Sequence, residues 1–204
     1  MKQLNNYITE KLQIGSNTKL GDNYYHPKDL NELNELVSKL MEKRGNNADL
    51  NDIDVSKITD MTELFYNSYF NGDISEWDVS KVKRMHRLFC RSKFNGDISK
   101  WDVSNVIDMN RMFTGSEFNQ DISQWNVSNV TNMNRMFHGA EFNQDISQWN
   151  VSNVTNMNRM FYLSEFNGNI SGWDVNNVKD MDHMFYGSPL EKNPPKWYKN
   201  EKNN

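Results

Sequence analysis

The stretch EFNQDISQWNVSNVTNMNRMF occupies Glu117–Phe137 and recurs, letter for letter, at Glu141–Phe161. The offset is 24 residues, and it governs most of the chain. Every tryptophan keeps it: Trp77, Trp101, Trp125, Trp149, Trp173 and Trp197. Every phenylalanine falls in one of two columns with the same step. One column runs Phe70, Phe94, Phe118, Phe142, Phe166, and the other runs Phe65, Phe89, Phe113, Phe137, Phe161, Phe185. A fixed period of this size marks a repeat array in which each unit buries its apolar face only against its neighbours. An exact copy then adds one more layer that fits both neighbours, so a chain can repeat itself without disturbing its topology.

Read from Ile122, one unit is I-x-x-W-x-V-x-x-V-x-x-M-x-x-M-F. Trp125 and Val127 alternate with polar residues, which predicts a short strand. Val130, Met133, Met136, Phe137 and Ala140 then follow the spacing of one helix face, with Ser128-Asn129 placed to cap its start. The expected fold is therefore an α/β repeat solenoid: a right-handed stack of short parallel strands and short helices, its strands about 4.8 Å apart.

The phrase I-x-x-W-x-V-x-x-V resembles the L-x-x-I-x-I-P-x-x-V phrase of BspA-type leucine-rich repeats. The wider unit FNQDISQWNVSNVTNMNRMF is similar to the repeat of the BspA-like surface-protein family of mycoplasmas and gut bacteria. The likeness spans roughly residues 48–197, with Ser128 where the older consensus has Pro. It implies a leucine-rich-repeat-like fold and a role in adhesion or host interaction. Relatives are often secreted or lipid-anchored, whereas this chain shows neither a signal peptide nor a lipobox cysteine.

Open stack ends expose apolar surface and need covers. HPKDLNELNELVSKLMEKRGN predicts a helix with Pro27 in its first turn, Leu30, Leu33, Val37, Leu40 and Met41 on one face, and Gly45 as its stop. Leu50, Ile53 and Val55 take the Ile-x-x-Trp-x-Val positions of an atypical first repeat. At the far end Pro194 and Pro195 interrupt the pattern while Trp197 keeps register. The organisation read is an N-terminal helical cap over 1–47, whose first part is either more cap or a docking segment, the repeats over 48–188, and a C-terminal cap and tail over 189–204. Within the first part, LNNYITEKLQI predicts a further short helix.

Apolar residues make up 36% of the 204 and mean hydropathy is −0.87, values that alone would suit a disordered chain. The 12% aromatic content and a net charge of only −4 argue for a packed one. A single cysteine, Cys90, excludes an internal disulfide. No apolar run reaches membrane-spanning length, so no membrane insertion is expected. The opening MKQLNNYITEKLQIG lacks the apolar core of a signal peptide. The default expectation is a cytoplasmic protein, with a virion or non-classically released surface location as the other reading.

Several columns invite a chemical reading. The methionines (Met61, Met85, Met109, Met133, Met157, Met181) could hold soft metals, but at this spacing they read as core. Asn71, Asn95, Asn119, Asn143 and Asn167 read as an inward ladder bonding the backbone of the next turn. Asp73, Asp97, Asp121 and Asp145 could form a Ca²⁺ ladder but lack its glycine-aspartate signature, so caps to nearby N–H groups are preferred. Arg87, Arg111, Arg135 and Arg159 are expected to balance that charge, with His183 in their last place. Cys90 reads as an ordinary, surface-leaning thiol. His26, His86, His138 and His183 hold no repeated relation to a nucleophile or carboxylate. No phosphate loop, HExxH or paired-cysteine motif is present, so no catalytic residue, metal or cofactor is assigned. With aromatics in core register and no basic stripe read beside them, nucleic acid is not an expected partner.

Recognition is expected where polar columns vary. On the strand-side face these are Glu76, Asp78, Lys100, Asp102, Gln124, Asn126, Gln148, Asn150 and Asp174. A secondary patch follows the predicted helices: His138, Tyr162, Leu163 and Tyr186. The functional expectation is a non-catalytic module, monomeric or weakly self-associating, that binds another protein or a surface glycan. The alternative is a structural or assembly component, virion- or phage-associated, that multimerises through its ends or faces.

Overall fold

Asp and Asn side chains, rather than apolar alternation, decide how each unit folds in the computed structural model, which describes residues 25–198. Asp73 Oδ1 accepts the N–H of Ser75 at 2.9 Å, and Asp78 Oδ1 accepts that of Ser80 at 3.0 Å. Between them Trp77 N–H donates to the Ile74 carbonyl at 3.2 Å, and just after them Val82 N–H donates to the Val79 carbonyl at 2.8 Å. A carboxylate or amide that bonds a backbone N–H two residues on closes a turn by itself. The Ile-x-x-Trp-x-Val segment is thus a series of turns. The same bonds recur at Asp97–Ser99, Asp102–Ser104, Asp121–Ser123, Asn126–Ser128, Asp145–Ser147 and Asn150–Ser152.

The second half of each unit is also turns. Met109, Arg111, Phe113 and Gly115 donate their N–H groups to carbonyls of the next layer, those of Asn132, Asn134, Met136 and His138, at 2.8–3.0 Å. The intervening Met112, Thr114 and Ser116 bond three residues back at 3.1–3.2 Å. An α-helix would need all of these N–H groups for its own i−4 carbonyls. The alternation instead places Arg111 and Gly115 in the left-handed region, at φ 56° and 61°.

These bonds overturn the expected α/β solenoid. Among the described residues there is one α-helix, one three-residue 3-10 turn at Pro189–Glu191, and no β-strand or sheet. Parallel contacts between layers occur as isolated rungs, such as Asp60 with Arg84 and Arg84 with Asp108. The apolar columns do superpose. Phe89, Phe113, Phe137 and Phe161 stack at 5.6–5.7 Å between ring centroids, and Trp77 lies 6.4 Å from Trp101. Each indole also crosses to the layer before it: Trp125 Nε1 donates to the Ile98 carbonyl at 3.1 Å, and the other five tryptophans repeat the bond. The methionine column is buried core from Met61 to Met157, with Met181 half-buried at the end of the stack. The asparagine ladder exists, each Oδ1 accepting the next layer's Asn N–H at 2.8 Å, but mostly on the exposed surface rather than inward.

The single helix, α1, spans Leu30–Arg44. Asp29 caps its start, accepting from Asn31 and Glu32, and Gly45 at φ 88° ends it with an N–H to the Met41 carbonyl. Pro27 lies before the cap rather than in the first turn, because Asp29 claims the capping position. Leu33, Leu36, Val37 and Leu40 are buried and continue the core of the layers. At the far end Trp197 stacks on Trp173 at 6.4 Å, and Tyr198 meets Phe185 edge-on at 4.9 Å. The helix expected from LNNYITEKLQI lies outside the described residues.

The turn-closing carboxylates tie stability to pH. Backbone N–H bonds from Ser75 and Ser99 hold Asp73 and Asp97 below the ordinary value of 3.8, and the hydrogen bonds to Ser104 do the same for Asp102. A depressed folded-state pKa contributes stability that is complete above the unfolded value and is lost as pH falls through the folded one. Unfolding midpoints should therefore hold from neutrality down to about pH 5 and drop below about pH 4. Asp97→Asn should flatten that drop, since Asn169 already closes the equivalent turn to Ser171 at 3.1 Å. An unchanged acid limb in the variant would refute this account.

Candidate binding face

The first of the two left-handed turn residues of each unit forms a column that the sequence reading did not treat as a site. Glu63, Arg87, Arg111, Arg135, Arg159 and His183 share it, with φ between 52° and 60°. From Glu63 to Arg159 their backbones are locked by the N–H bond to the next layer, so these side chains leave the stack in the same direction, one per layer. Arg91 adds a cation beside them. These guanidiniums do not balance the Asp73–Asp145 column as expected, because those carboxylates are spent on their own turns. Arg87 pairs with Glu63 at 2.7 Å. No described carboxylate lies within ion-pair distance of Arg91, Arg111, Arg135 or Arg159. The chain therefore does carry a basic stripe.

The stripe borders a shallow cleft of about 240 Å³ lined by Tyr66, Arg87, Cys90, Arg91, Arg111, Thr114, Arg135 and His138. Arg135 is pulled below the ordinary arginine value, first by burial and then by Arg111 and Arg159. Burial, helped by Arg135, Arg159 and Arg111, likewise lowers His138, which keeps the imidazole neutral near pH 7. The Nε of Arg135, the Nε of Arg159 and Nδ1 of His138 are buried without a hydrogen-bond partner. Such orphaned polar atoms are costly unless something fills them. Cys90 is buried at 4% exposure, a correction to its surface-leaning reading, and burial raises its thiol pKa.

The secondary patch read from sequence adjoins this stripe. The His138 ring lies 4.9 Å from Tyr162, which lies 5.0 Å from Tyr186. Leu163 is 54% exposed, and the Arg159 guanidinium sits over the Tyr162 ring at 5.6 Å. Cation, aromatic and aliphatic surface are thus contiguous here.

The other predicted face is different. Glu76, Asp78, Lys100, Asp102, Gln124, Asn126, Gln148, Asn150 and Asp174 are all exposed. Yet Asp78, Asp102, Asn126, Asn150 and Asp174 each close a turn, and Gln124 and Gln148 lean on neighbouring serine hydroxyls at 3.2 Å. Glu76 and Lys100 approach only to 4.0 Å, both largely in water. Half of this face is therefore committed to holding the chain in place. The arginine stripe was legible as four equivalent arginines, but only the structure shows that Glu63 answers Arg87 and that no described carboxylate answers Arg111, Arg135 or Arg159.

Residues 31–117 and 92–197 match the family described as Mycoplasma protein of unknown function, DUF285. No curated protein matches the chain. No solved structure does either.

Proposed function

Since the chain belongs to this family of BspA-like repeat proteins, we propose that it is a non-catalytic recognition module that binds another protein through the arginine–aromatic side of its stack. A surface glycan is the second ligand class, and a role in host interaction follows the family's character. The observation carrying this reading is the contrast between columns. Phe and Trp positions repeat without change, whereas Tyr66, Cys90, Thr114, His138, Tyr162 and Tyr186 occupy one column and all differ from the repeat core in their variety. Polar groups elsewhere are consumed in turns and ladders, which suits a scaffold better than a reaction centre. No described helix is long and apolar enough to cross a membrane.

A pull-down from host lysate and envelope fractions tests the reading. The wild type is compared with a Tyr162→Ser, Leu163→Ser, Tyr186→Ser variant and with a Glu76→Lys, Lys100→Glu, Gln148→Arg variant. A partner lost with the first set at an unchanged melting temperature supports recognition on this side; loss with the second set moves it to the other face. Equal recovery by all three defeats the proposal.

One observation favours assembly as a second reading. The first layer has no described N–H reaching the carbonyls of Thr62, Leu64 or Tyr66, and the last layer's Met181, His183 and Phe185 N–H groups donate to no described acceptor. Donors at one end and acceptors at the other suit head-to-tail stacking. Light scattering over a concentration series should then show growing particles; a constant monomer mass excludes it.

A further inference from the structure

We propose that the arginine stripe binds an extended acidic peptide segment, with a carboxylate at every second residue and an apolar residue at the end over Tyr162, Leu163 and Tyr186. The inference rests on the recognition reading above and specifies its ligand. Guanidiniums bind carboxylates through two parallel hydrogen bonds, and Arg111, Arg135 and Arg159 have no described carboxylate to satisfy them. The unfilled Nε donors of Arg135 and Arg159 lie on the same strip. Spacing selects the form of the ligand. The layers carrying the unpaired Arg111, Arg135 and Arg159 span about 11 Å, judged by the Phe113–Phe161 ring stack. Three alternate side chains of an extended peptide span about 13 Å, a mismatch that long arginine side chains absorb. Glu63 closes one end of the stripe through Arg87, while the exposed Leu163 and Tyr186 flank the other. A nucleic acid draws its affinity from many phosphate contacts along its length, and this narrow stripe offers only a few cations, which disfavours it.

The column itself says that its arginines are dispensable for folding. Glu63 and His183 hold the same left-handed turn at φ 60° and 54°. Asn tolerates that conformation better than most residues. Arg135→Asn should therefore leave the melting temperature unchanged or raise it, because it also relieves repulsion from Arg111 and Arg159. A purely structural arginine would lower it.

Binding is read by fluorescence anisotropy of a labelled peptide of alternating Glu and Ser ending in Phe. Wild type should bind it, and Arg111→Asn with Arg135→Asn should weaken it about 100-fold at unchanged circular dichroism. A peptide of the same composition with its glutamates in one block should bind distinctly less well. No binding to wild type, or equal binding by the double variant, overturns the proposal. So does equal binding of the block peptide or of oligothymidylate, which would show that charge alone is read. Displacement by inorganic phosphate at concentrations where chloride of equal ionic strength has no effect assigns the strip to a small oxyanion instead. Partner capture that survives Arg111→Asn with Arg135→Asn, but not the tyrosine and leucine substitutions, sinks this inference and leaves the recognition reading standing.

Discussion

Trp125→Ala should cost about 3–5 kcal/mol, lowering the melting temperature by about 10 °C or more. Trp125 is only 4% exposed, its ring packs 6.4 Å from Phe113, and its Nε1 donates to the Ile98 carbonyl of the layer before. The substitution removes buried apolar area, opens a cavity in the middle of the stack and orphans a carbonyl in one step. Position matters as much as residue type. Because each layer contacts only its neighbours, a central defect weakens the coupling between the two halves. The denaturant transition should therefore broaden as well as shift. Trp197 makes the same indole bond, to Ile170, but is half-buried at the end of the stack. Trp197→Ala should cost clearly less and leave the transition sharp. Equal costs at the two positions, measured by urea unfolding, would contradict a layer-by-layer account.

Deleting twelve residues should be worse than deleting twenty-four. Removal of Glu117–Ala140 takes out one whole period and joins Ser116 to Glu141, which begins the same 21-residue sentence. Every Phe, Trp and Asn column then closes up by one layer. The shortened chain should fold cooperatively with native-like tryptophan fluorescence and an m-value reduced roughly in proportion to the lost surface. Removal of Glu117–Ser128 is half the length but places Phe137 where no phenylalanine column runs and leaves the Trp149 indole without its carbonyl. This chain should show no cooperative transition at all. Cooperative unfolding of the half-period deletion, or its absence in the full-period one, would refute the additive stack.

The period, the columns and the ends of the repeat were all present in the chain by itself. Twenty-four-residue spacing of Trp and Phe is enough to place those residues one above another, because a repeated unit meets the same neighbours at each step. The helix over Leu30–Arg44 was legible too, through its apolar spacing and its Gly stop, although Asp29 rather than Pro27 begins it. What the chain alone did not show was the path between the columns. Trp125-x-Val127 and Val130 to Ala140 carry strand and helix spacing, yet neither element forms. Periodicity records which side chains face inward; it does not record where the backbone N–H groups go. Asp121, Asn126 and Asn132 take some of them locally, and the next layer takes every second one of the rest. That competition is settled only when layers are already stacked. The arginine stripe has the same origin: four arginines are visible in the sequence, but their common direction, and the absence of a described acidic partner for all but Arg87, arise from left-handed turns that the neighbouring layer's carbonyls hold in place.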